Sequence, residues 1–458
     1  MKSNSYYIKA LCLFFSISFF IAGIIAAFYL NCWNDILPGL FNILTLPAPL
    51  LTDYFQLGNL ASAFFNAGAC GLACTAIMFY YKCDCQPSFL AGYFLVAAHC
   101  FYGLSFLNMW PPMAGIYIFT KVKKISFSDN FSMAMFSTAF GPFITELLFR
   151  YHTGSYFNLY VMQISGLGFF YAVAFSIFLG FAIPAMLPGA LHLHKGYNLF
   201  NGGLAFGLLG LFLYSFMYNS FDAEPPKPFV HGNAIYTAHE YSYQTFIFTF
   251  YVIIFLLIFI TGWYLNGKSL KGYRNLLQSD GHNVNFFDQY GAPLVLINIG
   301  LYGLMMLAYF FLVIVLTEGD GFTGPTTGII LASITFVAQG QHPKNVWPVL
   351  MGFVTLFFVG QTVGHILGFN PQWTLSTQVY MNGAAFATGL CPITGHYGKR
   401  FGLLAGVMCA IMCTSTSALH GGFVLYNGGL TSGITALILI PFLEYYWEDR
   451  KKNLKKNI

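Results

Sequence analysis

Long apolar runs alternate with short polar joints from one end of the chain to the other. Runs of about 18 residues or more recur along it, each enough to cross a hydrocarbon core of roughly 30 Å as a helix. In the second half the pattern predicts spans near 243–265, 293–316, 323–340, 345–366, 374–393, 400–418 and 426–446. In the first half the corresponding runs fall near 8–31, 57–80, 88–107, 108–120, 131–149, 157–187 and 200–218, the fourth being short and expected to be broken or tilted. Period-two alternation is absent, which removes a closed barrel and leaves helices as the spanning structure. The expected fold is therefore all-α, a polytopic transmembrane helix bundle of about 14 spans. The first run follows Lys2 and Lys9, but its apolar stretch is too long for a signal peptide and no small-x-small cleavage site follows, so a retained span is expected.

A duplication underlies the pattern. LHKGYNLFNGG, ending at Gly203, returns as LHGGFVLYNGG, ending at Gly429. His194, Asn201, Gly202 and Gly203 thus match His420, Asn427, Gly428 and Gly429, and the aromatic positions Tyr197/Phe423 and Phe200/Tyr426 are kept. Weaker matches keep the same order: Tyr29-Leu30-Asn31 with Tyr264-Leu265-Asn266, Asn66-Gly68-Gly71-Leu72 with Asn298-Gly300-Gly303-Leu304, and Asn108-Trp110-Pro111-Gly115 with Asn345-Trp347-Pro348-Gly352. Repetition at this scale reads as two copies of one unit, residues 1–219 and 240–447, joined by a polar linker at 220–239 and followed by a basic tail at 448–458.

Seven spans to a half, an odd number, would set the two copies in opposite senses across the bilayer as inverted repeats. Loop charge tests this independently. Lys82, the cluster Lys121, Lys123 and Lys124, Lys195, then Lys268, Lys271 and Arg274, Lys344, Lys399 with Arg400, and the tail fall on one side if the spans alternate. The acidic turns around Asp222-Ala223-Glu224 and Glu318-Gly319-Asp320 fall on the other, with Arg150 the exception. Positive-inside bias then predicts a protein of the cell membrane with both termini cytoplasmic and the linker outside.

Composition sharpens the class. Apolar residues make up 57% and charged residues 8% of 458, against roughly a quarter charged in ordinary globular domains. The net charge of +5 sits mainly in loops and tail, which suits lipid headgroups rather than nucleic acid. The ten cysteines lie mostly in apolar runs and behave there as small hydrophobes. Cys83-Asp84-Cys85 offers two thiols without a matching pair, short of a tetrahedral metal site. No nucleotide-binding loop, nucleophile elbow or HExxH helix appears, and no metal or cofactor is expected.

The chemistry-bearing residues are the repeated polar ones. The carboxamides of Asn66, Asn298, Asn201 and Asn427 can donate and accept, and double glycines loosen the chain beside the last two, so these positions suit a solute pathway at the repeat interface. The bland alternative is close helix packing at the glycines and interhelical glue at the asparagines. His194 and His420 read either as a proton-responsive gate or as helix-end histidines bonded to loop carbonyls. His99 and His365, inside spans, read first as satisfied core histidines. Trp110 and Trp347 read as interfacial anchors. Glu146 lies within an apolar run and is the candidate for ion or proton coupling, although Arg150 four residues on makes an ordinary ion pair the simpler account.

On the strength of its tandem NGG-containing halves the chain resembles an uncharacterised family of duplicated bacterial multi-pass membrane proteins, domain of unknown function 1576, from which no activity follows. The plan is also loosely similar to seven-plus-seven inverted-repeat transporters, an analogy of architecture alone. The function expected is a membrane transporter or channel for a small neutral or weakly basic polar solute, not an enzyme, in contact with membrane lipids and free to form a homo-oligomer. The alternative is an integral membrane enzyme acting on a lipid-linked or small apolar substrate with histidine and Glu146 as acid and base. A structural partner in a larger membrane complex is the third reading.

Overall fold

The computed structural model describes residues 3–46, 48–50, 52–150, 164, 166–221, 225, 240–319, 321–369 and 374–448. Most of the expected linker, the basic tail, the Asp222 and Asp320 turns, the start of the expected span at 157–187 and the side chain of Arg150 lie outside the described residues.

In chain order the first half runs α1 (Asn4–Tyr29), α2 (Ile36–Thr45), α3 (Tyr54–Leu57), α4 (Leu60–Tyr80), α5 (Pro87–His99), α6 (Trp110–Lys123), α7 (Phe127–Ser137), α8 (Gly141–Arg150), α9 (Gly166–His194) and α10 (Asn201–Met217). The second half runs α11 (Glu240–Leu265), α12 (Tyr273–Leu276), α13 (Phe286–Tyr290), α14 (Ala292–Leu316), α15 (Gly324–Ser333), α16 (Pro343–Leu367), α17 (Gln378–Ala387), α18 (Cys391–Tyr397), α19 (Lys399–Thr416) and α20 (Asn427–Leu443). Among the described residues nine helical stretches are long and apolar enough to cross a membrane. Starts are set by caps: Asn59 accepts from Ser62 N at α4, Thr323 from Thr326 N at α15, and Asn345 Oδ1 accepts from His342 N at α16.

Four of the expected spans are not continuous helices. The runs at 88–107 and 323–340 give helices of only 13 and 10 residues, α5 and α15, each followed by a compact run of turns. The turns need Gly103 and Gly340 at φ +92° and +135°, a backbone region open to glycine and closed to most residues. The runs at 131–149 and 374–393 break at Thr138–Phe140 and Thr388–Leu390. Pro142 and Pro392 follow each break and remove an amide that a continuous helix would have used.

The halves repeat one packing plan. α1 lies along α4 as α11 lies along α14; α6 pairs with α9 as α16 pairs with α19; α5 packs on α7 as α15 packs on α17. Glycine sets the closest of these contacts, for a Cβ on Gly115 would run into the Ser176 carbonyl, and one on Gly406 into the Val349 carbonyl.

Equivalent helices meet where the halves join. α5 touches α15, with Gly324 facing the Phe101 carbonyl and Gly328 the Ala98 carbonyl, so the two pass in opposite directions. α10 touches α20 in the same manner. Gly203 lies directly on the Gly429 backbone, Leu204 on Gly433, and Gly210 on Val424. At one end of this pair Lys195 binds Glu444; at the other Tyr218 stacks on Phe423 at 5.5 Å. Apolar burial supplies little net attraction between helices in lipid, so this backbone-on-backbone fit carries the junction.

A methyl group at the crossing therefore tests it. Gly203→Ala is expected to force α10 and α20 apart and to cost about 1–3 kcal/mol, as overpacking of a close contact does. Gly189→Ala, where a Cβ meets nothing within 4 Å, should leave thermal unfolding of the detergent-purified protein unchanged or slightly raised.

Candidate functional site

The two NGG segments form the centre of the junction. After His194 the chain turns through Lys195 and Gly196, both at positive φ (+52° and +80°), before α10 begins at Asn201. After His420 it turns through Gly421 and Gly422 (+58° and +78°) before α20 begins at Asn427. Each turn exposes a backbone amide inside the bundle, and each amide is taken by the other half. Leu199 N donates to Gly389 O at 3.0 Å, and Leu425 N donates to Ala139 O at 3.0 Å. Both carbonyls belong to the breaks at Thr388–Leu390 and Thr138–Phe140, so the broken helices exist where an acceptor is required. His99, fully buried in α5, adds a further tie with Nε2 3.1 Å from Leu425 O.

The backbone obeys the symmetry while the polar side chains break it. In the second half His420 Nε2 lies 3.1 Å from Asn427 Oδ1, and Val424 N donates to His420 Nδ1 at 3.4 Å. In the first half the matching pair is open: neither ring nitrogen of His194 and not the Oδ1 of Asn201 has a hydrogen-bond partner among the described residues, although all three atoms are buried. Asn198, the counterpart of Val424, turns instead to accept from Phe200 N at 3.1 Å and from Ser432 Oγ at 3.3 Å. The glycines differ likewise. Gly428 is closed by the Phe386 side chain, whose Cβ lies 2.6 Å from where a Cβ on Gly428 would sit, whereas Gly202 opens on a cavity.

That cavity, about 400 Å³, is lined from both halves, by Leu199 to Gly203 with Leu95, Phe136 and Leu187 from one and by Phe336, Gln339 and Tyr426 from the other. Asn201 Oδ1 and Gln339 Oε1 are carboxamide acceptors in its lining that have no donor among the described residues. Its walls are otherwise mostly aliphatic and aromatic, with Phe200 held between Phe336 and Phe386 at 4.8 Å from each. Gln339 was not among the residues the repeats singled out, because its counterpart across the halves is Tyr102; the signal available was a glutamine inside the apolar stretch ITFVAQGQ.

Asn66 and Asn298 sit elsewhere and do the same work in each half. Asn66 Nδ2 donates to the carbonyls of Cys100 (2.9 Å) and Leu104 (3.0 Å) while its Oδ1 accepts from Phe106 N at 3.0 Å. Asn298 Nδ2 donates to Val337 (3.0 Å) and Gln341 (2.8 Å), and its Oδ1 accepts from Tyr273 Oη at 3.2 Å. Both carboxamides are fully used in holding the turns after α5 and α15. Asn108 and Asn345 complete each turn by donating to Gly103 and Gly340. Glu146, 1% exposed, lies away from the cavity and accepts from Tyr218 Oη at 2.7 Å.

Long apolar helices in a duplicated all-helical bundle define an integral membrane protein. More particularly, the chain belongs to the family described as Protein of unknown function (DUF1576), whose model matches residues 32–219 and 265–445. No curated protein and no solved structure matches the chain.

The contrast between the two kinds of asparagine is measurable. Asn66→Ala and Asn298→Ala each strand two buried carbonyls, at about 1–3 kcal/mol per unpaired group, and should lower the unfolding temperature of the purified protein by similar amounts. Asn201→Ala removes no bond made by Oδ1 and should stay within about 0.5 kcal/mol of the parent.

Proposed function

We propose that the chain is a membrane transporter or channel for a small neutral or weakly basic polar solute, with its pathway at the interface of two inverted seven-span repeats. The reading is supported by equivalent helices that pass each other in opposite directions and touch at their glycines, as a two-fold axis in the membrane plane would require. Inversion puts the open pair His194/Asn201 toward the cytoplasm, with the basic loops, and the closed pair His420/Asn427 toward the outside.

One observation carries the proposal: two copies of one motif sit in two states around a shared junction, one open on a cavity and one shut. Alternating access consists of exchanging those states. An enzyme site gains nothing from a second, closed copy facing the other compartment. The cavity falls within the usual size of ligand pockets, about 300–1,000 Å³. Its orphan acceptors, Asn201 Oδ1 and Gln339 Oε1, call for a solute that brings N–H or O–H donors. Its aliphatic and aromatic walls suit a body of low polarity, and the ring faces of Phe136, Phe200, Phe336 and Tyr426 suit a cation. Ammonium, small amines, urea and small amides meet this description.

The test is flux into liposomes holding the purified full chain, measured over that panel. At least one solute should enter faster than into empty vesicles, and the double variant Asn201→Ala, Gln339→Ala should slow it by about tenfold or more, since two donor–acceptor contacts are lost. Accessibility gives a second reading, helped by native cysteines that are all buried. Asn201→Cys should react with a membrane-impermeant thiol reagent from the cytoplasmic face and Asn427→Cys should be protected, with saturating solute evening out the two. Absence of flux for every solute, or equal labelling of both positions from one face, would overturn the proposal.

A further inference from the structure

We infer that Asp53 is a proton-binding site at the contact between the two halves, and, resting on the transport reading above, the group through which transport is coupled to proton movement. Asp53 lies in the connection between α2 and α3, is 5% exposed, and reaches across to the second half. Its Oδ1 accepts from Phe55 N at 2.8 Å, capping α3, and from Gly324 N at 2.9 Å, the first residue of α15. Its Oδ2 is buried and has no hydrogen-bond partner among the described residues. One carboxylate oxygen thus ties the halves together while the other stands where a proton would sit.

Among the described residues no charged side chain acts on this carboxyl. Tyr54 on its own element, Cys100 and Tyr102 in the turn after α5, and Tyr243 at the start of α11 are the titratable groups on the elements around it, all uncharged near neutral pH. Gln244 of α11, uncharged, accepts from Phe322 N through Oε1. Burial without a charged neighbour raises the carboxyl from its ordinary 3.8 to about 6, with the amides of Phe55, Gly324 and Gln56 opposing the rise. The repeat supplies a comparison: in the second half the same cap is Asn285, which accepts from Phe287 N, and the next residue, Phe286, donates to Ala338 O as Tyr54 donates to Phe101 O. An amide is tolerated in this fold, so the carboxyl at position 53 is not a requirement of the cap.

Protonation changes the contact it makes. The ionised form accepts from Gly324 N by a charge-assisted bond at the start of α15; the neutral form accepts more weakly. Gly324 is packed so tightly that a Cβ would run into Phe101 O and Asp53 itself, so the seat of α15 keeps the carboxyl buried, and proton uptake, which removes the cost of burying its charge, favours that seat over any arrangement that hydrates Asp53. Uptake of one proton by Oδ2 thereby biases the interface that alternating access must move.

The experiment uses the full chain in detergent, with infrared difference spectra recorded across pH 5 to 8 for wild type, Asp53→Asn and Asp53→Ser, serine being a second cap-competent side chain if asparagine does not fold. Expected is an un-ionised carboxyl band in wild type that disappears with a midpoint near pH 6 and is missing from both variants. Stability runs in step: a raised carboxyl favours the folded state at low pH, so wild type should melt lower as pH rises from about 4 to about 6 and then level off, while the variants should not. Absence of a titrating band, or its persistence in the variants, overturns the site. A midpoint that falls with sodium and not with potassium assigns the position to a metal cation and overturns the proton. In liposomes with a trapped pH dye, solute-dependent proton entry should be present in wild type and lost in Asp53→Asn, whereas solute flux indifferent to an imposed pH gradient in wild type overturns the coupling. A titrating Asp53 in a protein that moves no solute supports the proton site and sinks the transport reading instead.

Discussion

A backbone amide buried inside a membrane bundle has to find an acceptor, and in this protein two such amides find theirs in the opposite half of the chain. Leu199 N binds Gly389 O and Leu425 N binds Ala139 O. An unpaired N–H in hydrocarbon costs several kcal/mol, so neither half can complete its own hydrogen bonding without the other. The consequences spread outward. Breaks at Thr138–Phe140 and Thr388–Leu390 free the acceptor carbonyls, prolines at 142 and 392 keep the helices from closing over them, and Gly203 against Gly429 lets the backbones come near enough.

This clasp is symmetric, and that makes the asymmetry around it informative. Asn66 and Asn298 hold equivalent turns with equivalent bonds. The His–Asn pairs beside the clasp do not match: His420 is bonded to Asn427, while His194 and Asn201 face a cavity with unused polar atoms. The two stretches differ at Asn198 and Val424, and Asn198 is tied to Phe200 N and Ser432 Oγ where Val424 leaves its amide to His420.

Much of this was legible in the residues alone. The recurrence of LHxGxxLxNGG, of N-x-G-x-x-G-L and of N-x-W-P marked the duplication and placed the paired asparagines, histidines and glycines at corresponding points. The same reading gave Asn66 and Asn201 one role. They differ because an asparagine looks the same whether its carboxamide is consumed by two carbonyls or left facing a cavity. It also passed over Asp53, since a single aspartate between apolar runs resembles an ordinary loop residue until the chain folds it under α15 and across from Phe101.

Hydropathy determined that the chain is a membrane-embedded helical bundle, and self-similarity determined that it is built twice, because both properties are local and additive along the sequence. Where the helices break, which carbonyls are left for the other half, which of two related motifs is open, and how a carboxylate comes to lie buried between the halves were decided only by tertiary structure. Each of these depends on a hydrogen-bond partner or a close backbone approach supplied from up to hundreds of residues away, and no local pattern encodes a partner that distant.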